Sequence, residues 1–356
     1  MKILLIRLRL IGDVVFTTPA IATLRRHYPD ATITYLVEAP AAPIVRENPH
    51  LDEVIVAERP RGLRRLAYDL ALGLRLRRAR FDLVIDFHGG PRSAWLTRVS
   101  GAARRIGYDL PGRFWSYTDR VAWTPALVPP RHSVANQGDL LQPLGIAGLS
   151  HGTPPVEMPL STQAAAAVGA RLLAAGAHDE DRIVVVHASA SSAYRRWPAD
   201  RFAALGAELL RRHAQVRVLF TTGPSERELQ EQLTAATRTL AGRDGSRVLS
   251  CGDFDLAELR ALVDRASLYI GGDSGPLHIA ATTHTPIVAL FGPTTSERSL
   301  PWRDPAVPTL TVDAGPLPCR PCDQRRCLPG DFRCLTWVTV EQVVTAASQL
   351  LTGQND

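Results

Sequence analysis

At 356 residues the chain is long enough for two domains of the usual ~150 residues, each with its own core. Apolar residues make up 45% and charged residues 21%, a globular composition that excludes disorder and fibrous architectures. Forty-one basic against thirty-five acidic residues leave a net charge of +6, and because Lys2 is the only lysine, Schiff-base chemistry in the body of the chain and a P-loop lysine are excluded too.

The opening Met1-Lys2-Ile3-Leu4-Leu5-Ile6-Arg7-Leu8-Arg9 breaks its apolar run with charge too early for a signal-peptide core, and it reads as the first strand. Short apolar runs of strand length then alternate with helical patterns: strand 2–7, helix 14–27, strands 32–37 and 53–57, helix 61–79, strand 83–86. The Gly- and Pro-rich stretch 144–159 reads as a linker. Beyond it come helix 162–175, strand 183–187, helix 199–213, strand 216–220, helix 224–238, strand 247–249, helix 255–264, strand 267–270, helix 275–283 and strand 286–290. Repeated strand–helix units indicate an α/β protein with parallel sheets. The expected architecture is two Rossmann-like domains, 1–160 and 161–356, facing a central cleft, with a final helix able to pack back on the first domain. No stretch approaches the ~18 to 20 uninterrupted apolar residues of a membrane span, and a cytoplasmic location is expected.

Split at residue 160, the first part carries 21 basic and 14 acidic residues and the second 20 and 21, so the positive excess belongs to the first part. Its densest block, Arg59 to Arg80, holds eight arginines against Asp69 alone. A field of that kind attracts nucleic acid, an anionic membrane surface or a phosphorylated substrate. Within the block, Leu63, Leu66, Ala67, Leu70, Ala71 and Leu74 share one helical face, with Arg64, Arg65, Arg75, Arg77 and Arg78 largely elsewhere. The pattern is that of a crossover helix packed on its sheet; a helix that also rests on anionic lipid is the second reading. Aromatic residues are only 6% of the chain and form no interleaved platform, which argues against single-stranded nucleic acid as a partner.

Strand one runs into Leu8-Arg9-Leu10-Ile11-Gly12-Asp13, without the G-x-G-x-x-G that a dinucleotide pyrophosphate requires, which weakens a dehydrogenase reading. Asp13 is either the cap of the following helix or a carboxylate at a strand end able to take a proton from a hydroxyl nucleophile. Pro19 either kinks that helix or starts it near Thr18. Asp86-Phe87-His88-Gly89-Gly90-Pro91-Arg92-Ser93 lies at the carboxyl end of another strand, where a buried strand-end turn is the plain reading.

In the second half, strand 183–187 opens into Ala188-Ser189-Ala190-Ser191-Ser192-Ala193-Tyr194-Arg195-Arg196-Trp197-Pro198. Small residues such as Ser189 let backbone amides approach phosphate oxygens, and Arg195 or Arg196 can bridge two of them; a solvated arginine pair is the plainer alternative. Strand 267–270 runs into Gly271-Gly272-Asp273-Ser274-Gly275-Pro276-Leu277-His278, where Ser274 can cap the helix and the amides at Gly275 onward form an anion site. Glu226 is either a ribose ligand or an acidic residue in a first helical turn.

These elements together, Gly12-Asp13 with Pro19, Arg195-Arg196-Trp197-Pro198, Asp273-Ser274-Gly275-Pro276-Leu277-His278 and Pro286 through Gly292-Pro293-Thr294, resemble the ADP-heptose:lipopolysaccharide heptosyltransferases of glycosyltransferase family 9. The resemblance covers nearly the whole chain, and Asp-Ser-Gly-Pro-x-His is its most specific part. It implies a GT-B fold and inverting, metal-independent transfer of heptose from ADP-heptose, with no cofactor required, to a phosphorylated, lipid-linked saccharide at the inner membrane. By the same resemblance Asp13 matches the catalytic base, Arg195 or Arg196 the basic residue at the sugar diphosphate, Glu226 the ribose ligand, and Asp273 to His278 the diphosphate and heptose contacts, while the first domain holds the acceptor, with Gly12, Asp86, His88 and Arg92 expected to line its side. Some members carry lysine at the first basic position, where this chain has arginine. The alternatives are another GT-B sugar-nucleotide enzyme, either a transferase with a different donor or a UDP-sugar 2-epimerase, and a non-catalytic nucleotide- or nucleic-acid-binding module.

Four of the five cysteines, Cys319, Cys322, Cys327 and Cys334, form a C-x2-C-x4-C-x6-C cluster. Such density suggests a metal knot more than disulfides, but the paired C-x2-C knuckles of strong zinc motifs are missing, and reduced structural thiols are the competing reading. Cys251 stands apart as a small packing residue.

Overall fold

The computed structural model describes residues 1–123, 131–149 and 154–353; of the expected linker, residues 150–153 lie outside these. The chain divides into two compact units, Met1–Pro159 and Leu160–Asp356. Each is built on a six-stranded parallel sheet, as expected for the α/β GT-B class.

The first unit contains β1 (Lys2–Ile6), β2 (Thr32–Glu38), β3 (Glu53–Ala57), β4 (Leu83–Asp86), β5 (Arg104–Tyr108) and β6 (Asp119–Val121), in the order β3-β2-β1-β4-β5-β6. In the centre of the sheet, Ile6 pairs with Leu36 on one side and Asp86 on the other. Ile3 to Ile6 and Leu83 to Ile85 are buried, the mark of strands covered by helices on both faces. The second unit contains β7 (Arg182–His187), β8 (Val216–Thr221), β9 (Val248–Leu249), β10 (Leu268–Gly272), β11 (Ile287–Phe291) and β12 (Thr309–Asp313), in the order β12-β11-β10-β7-β8-β9.

The apolar central strands are where the sequence pattern puts them. Three strands it misses, β5, β6 and β12, lie at or next to a sheet edge and carry Arg104-Arg105, Asp119-Arg120 and alternating threonines, respectively. The helix expected at 14–27 is two helices, Ile11–Val15 and Thr18–His27, with Pro19 in the first turn of the second, where its missing N–H has no intrahelical partner to lose.

The Leu63–Ala79 helix corrects the sequence reading more deeply. The apolar face expected against the sheet is exposed: Leu63 is 83%, Leu66 64%, Leu70 58% and Leu74 54% accessible. The face packed inward carries Leu72, Gly73 and Leu76, which join Leu4, Ile6, Leu36, Ile55 and Val84 beneath and Leu96 of the Pro91–Val99 helix alongside. Close approach to that neighbour sets the rotation. A Cβ at position 73 would lie 3.0 Å from Val99 Cγ2 and 3.1 Å from the Trp95 ring, so a larger residue there requires these side chains to give way by a few tenths of an ångström. One turn earlier, Asp69 accepts from Arg92 of the neighbouring helix at 2.6 Å.

The final helix, Val340–Thr352, buries its apolar face, Val343, Val344, Ala347, Leu350 and Leu351, in the second unit's own core with β10, β11, β12 and the Ala199–Arg212 helix.

The helix rotation predicts unequal costs for two leucines in one helix. Leu76→Ala should destabilise by about 2 to 5 kcal/mol and Leu70→Ala by less than about 0.5 kcal/mol, measured by urea unfolding. Equal losses at both positions would contradict the observed rotation.

Candidate functional site

In both sheets the strand order reverses once, between β1 and β4 in the first unit and between β7 and β10 in the second. Connections from the two strands at such a point leave toward opposite faces and open a crevice at their carboxyl ends. The residues singled out in the sequence cluster at these two points.

In the first unit, Arg7 follows the last residue of β1 and the chain passes through Leu10, whose backbone sits at a left-handed φ of 67°, an unfavourable place for a branched residue, and which is 65% exposed. Asp13 then lies inside the short Ile11–Val15 helix, whose N-cap is Leu10, and makes no cap bond. Its carboxylate Oδ2 instead accepts from Arg7 Nη2, while Arg7 Nη1 donates to the Phe87 carbonyl in the loop after β4 at 2.5 Å. Asp13 Oδ1 has no hydrogen-bond partner among the described residues.

Two expected acceptor-side residues are spent on the fold. Asp86 is fully buried: its Oδ1 accepts from the N–H groups of His88 at 2.9 Å and Gly89 at 3.1 Å, and its Oδ2 accepts from the Tyr117 hydroxyl at 2.7 Å. Burial pushes its carboxyl pKa up against these bonds. Arg92 bonds to Glu38 at 2.9 Å, to Asp69 and to the Glu58 carbonyl at 2.8 Å. His88 is half-buried, and burial, followed by the charges of Arg7, Arg9 and Arg59, lowers its pKa to about 4, so its ring is neutral near pH 7. Sequence reading missed Arg7, Arg9 and Arg59 as neighbours of this crevice. The signal available was a charge ending an apolar strand at Arg7.

In the second unit, Glu226 is the residue before the Arg227–Ala241 helix, and both its oxygens are occupied. Oε1 pairs with Arg196 Nη2 at 2.7 Å; Oε2 accepts from the Ser189 hydroxyl and from the Gly223 N–H at 3.2 Å. Across the crevice, Arg195 Nη1 pairs with Asp273 Oδ2 at 3.4 Å, and Arg195 Nε donates to Gln324 Oε1 at 2.7 Å. Arg195 Nη2 and Arg196 Nη1 remain without partners among the described residues. Asp273 Oδ1 lies 3.7 Å from His278 Nε2, and Thr294 donates to Oδ2 at 2.6 Å. Burial opposes the charge on Asp273, but His278, Arg195 and Thr294 together hold its pKa down at about 2. Ser274 stands at the N-cap of Gly275–Ala280 but makes no cap bond, and its buried hydroxyl has no partner among the described residues. Thr294 and Gln324 are further neighbours to which the sequence reading gave no role.

The four clustered cysteines line one cavity of about 400 Å³ with Tyr194, Arg320 and Phe332. All are free thiols, and burial followed by the neighbouring cysteines raises the pKa of Cys334. Among the described residues no three His, Cys, Asp or Glu side chains converge to hold a metal ion. The cluster adjoins the loop after β7: Tyr194 donates to the Arg325 carbonyl at 2.8 Å, one residue before Arg195 meets Gln324.

A family model described as glycosyltransferase family 9 (heptosyltransferase) matches residues 70–328. The chain belongs to glycosyltransferase family 9. It is 30% identical to lipopolysaccharide heptosyltransferase 3 of Escherichia coli, with 97% of each chain covered. It is 28% identical to lipopolysaccharide heptosyltransferase 1 of Pseudomonas aeruginosa, covering 92% of this chain and 87% of that one. A family 9 glycosyl transferase from Veillonella parvula superposes with a TM-score of 0.81 at 22% identity, covering 99% and 97% of the two chains. ADP-heptose heptosyltransferase II of E. coli gives 0.77 at 19% identity over 100% of both, a likeness that concerns the fold. Membership makes the protein a glycosyltransferase and sets aside the epimerase, dehydrogenase and non-catalytic binding readings.

Two outcomes follow from this geometry. With its pKa depressed from 3.8 to about 2, Asp273 stabilises the fold above the unfolded carboxyl pKa, and that contribution, on the order of 2 kcal/mol, is lost as pH falls through about 2. The stability difference between the parent and Asp273→Asn should therefore shrink as pH drops from about 4 to about 2; a constant difference would show that the carboxylate is not held in its charged form. Unfolded without reductant, the protein should titrate five thiols with Ellman's reagent, whereas two disulfides in the cluster would leave one.

Proposed function

We propose that the protein transfers heptose from ADP-heptose to a hydroxyl of a phosphorylated, lipid-linked saccharide of the lipopolysaccharide inner core, with inversion at the anomeric carbon. Asp13 acts as the base. It takes the proton of the acceptor hydroxyl, whose oxygen forms the new glycosidic bond while the bond to the diphosphate breaks and ADP leaves. What carries this reading is the state of Asp13: one carboxylate oxygen is fixed by Arg7, and the other has no partner among the described residues, at the crevice where β1 and β4 end.

The donor half of the proposal rests on the second unit. Arg195 and Arg196 each keep one guanidinium nitrogen without a partner, and the Ser274 hydroxyl is buried and unsatisfied beside the amides that begin Gly275–Ala280. These groups are suited to the charge that develops on the leaving diphosphate. Glu226, already oriented by Arg196 and Ser189, is offered to the ribose hydroxyls. On the acceptor side Arg9 and Arg59, both exposed, take the phosphate-facing role for which Arg92 is unsuited. His88, neutral near pH 7, is a hydrogen-bond partner for sugar rather than a cation for phosphate. The acceptor's lipid brings the enzyme to the cytoplasmic face of the inner membrane; no helix of the described residues is long and apolar enough to cross it.

Incubation with ADP-heptose and a panel of truncated lipopolysaccharides, with ADP release and product mass as readouts, tests the reaction and identifies the acceptor. Asp13→Asn should lower kcat by about 10²- to 10⁴-fold and leave ADP affinity unchanged. Undiminished turnover would remove Asp13 as the base.

A further inference from the structure

The Leu63–Ala79 helix presents an apolar stripe that nothing in the first unit's described core covers. At 100° per residue, Leu63, Leu66, Ala67, Leu70, Ala71 and Leu74 lie opposite Leu72 and Leu76, so the stripe points away from the sheet. Four leucines more than half exposed along one side of a single helix form a contiguous patch rather than scattered surface residues. The rotation that exposes them is fixed by Gly73 against Trp95 and by Asp69 on Arg92.

The charge around the stripe has one sign. Arg65 and Arg75 are paired, with Asp69 at 3.7 Å and Glu53 at 2.9 Å, but Arg59, Arg61, Arg64 and Arg78 have no carboxylate partner among the described residues. Long arginine stems can lie along apolar surface while the guanidinium reaches outward. Two exposed aromatics belong to the same layer: the Phe114–Ser116 turn packs on the Pro91–Val99 helix, which packs on Leu63–Ala79, and Phe114 and Trp115 are 62% and 46% exposed. Leucines on one face, unpaired arginines beside them and aromatic side chains nearby are the composition of a helix that lies in a membrane interface.

We propose that the outer face of the Leu63–Ala79 helix, with Phe114 and Trp115, is the surface by which this protein docks on an anionic lipid bilayer. The leucines enter the boundary between headgroups and acyl chains, and Arg61, Arg64 and Arg78 meet lipid phosphates. The helix starts just after the carboxyl end of β3, the edge of the sheet on which Asp13 and His88 also lie, so docking brings lipid to the rim of the proposed acceptor crevice. The surface uses none of the residues assigned to transfer chemistry or ADP, and vesicle binding therefore succeeds or fails independently of the heptose reaction.

The test is co-sedimentation of the full chain with vesicles of phosphatidylglycerol and phosphatidylcholine, against phosphatidylcholine alone, at low and high salt. Binding should require the anionic lipid and weaken with salt. The triple substitution Leu66→Ser, Leu70→Ser, Leu74→Ser and the double substitution Arg64→Gln, Arg78→Gln should each lower affinity for anionic vesicles about tenfold or more. Because these side chains are exposed, melting temperature and turnover on a delipidated, water-soluble acceptor should remain those of the parent. Equal binding to both vesicle types, or parental binding by either variant, overturns the proposal. So does light scattering that shows a dimer of the parent and a monomer of the leucine variant, since the stripe would then belong to a second copy of the chain.

Discussion

A parallel sheet whose strand order reverses sends the connections from two neighbouring strands to opposite faces and leaves their carboxyl ends uncovered. This constraint occurs once in each unit, and both proposed sites depend on it. In each case an arginine spans the gap. Arg7 joins Asp13 after β1 to the Phe87 carbonyl after β4, and Arg195 joins the loop after β7 to Asp273 after β10. A guanidinium presents several donors in a fixed plane and can hold two loops at once, which an ammonium does less directionally. In a chain with a single lysine, the same chemical device organises both crevices.

Much of the scaffold is legible in the sequence because buried parallel strands read as unbroken apolar runs; β1, β4, β7 and β11 are of this kind. β5, β6 and β12 are less legible because strands near an edge tolerate arginine, aspartate and threonine. The inward face of Leu63–Ala79 was illegible for a different reason. Periodicity identifies an apolar face, but which face meets the sheet was decided by a contact between helices, Gly73 against Trp95 and Val99, that no single-helix pattern contains.

Candidate site residues divide along a similar line. Residue type and position at a strand end were enough to single out Asp13, Glu226 and Asp273. They did not reveal which of the candidates also bond within the unit, as Asp86 does to Tyr117 and Arg92 to Glu38 and Asp69. Their roles depend on Tyr117, Glu38 and Asp69, all distant in sequence. Gly107 on β5 is part of the same arrangement, since any side chain there would collide with the Tyr117 ring that reaches Asp86. The net charge of the first unit was likewise a count without pairings: Arg25 pairs with Asp52, Arg104 with Asp119 and Arg75 with Glu53, whereas Arg59, Arg61, Arg64 and Arg78 have no carboxylate partner among the described residues.

Arg7 bonds at once to the Asp13 carboxylate and to the backbone of the loop that carries His88. The two loops therefore form one mechanical body rather than two adjustable walls. In the proposed reaction, a sugar that displaces the Phe87 carbonyl also shifts the Asp13 carboxylate, so the fit of the acceptor and the aim of the proposed base are a single variable.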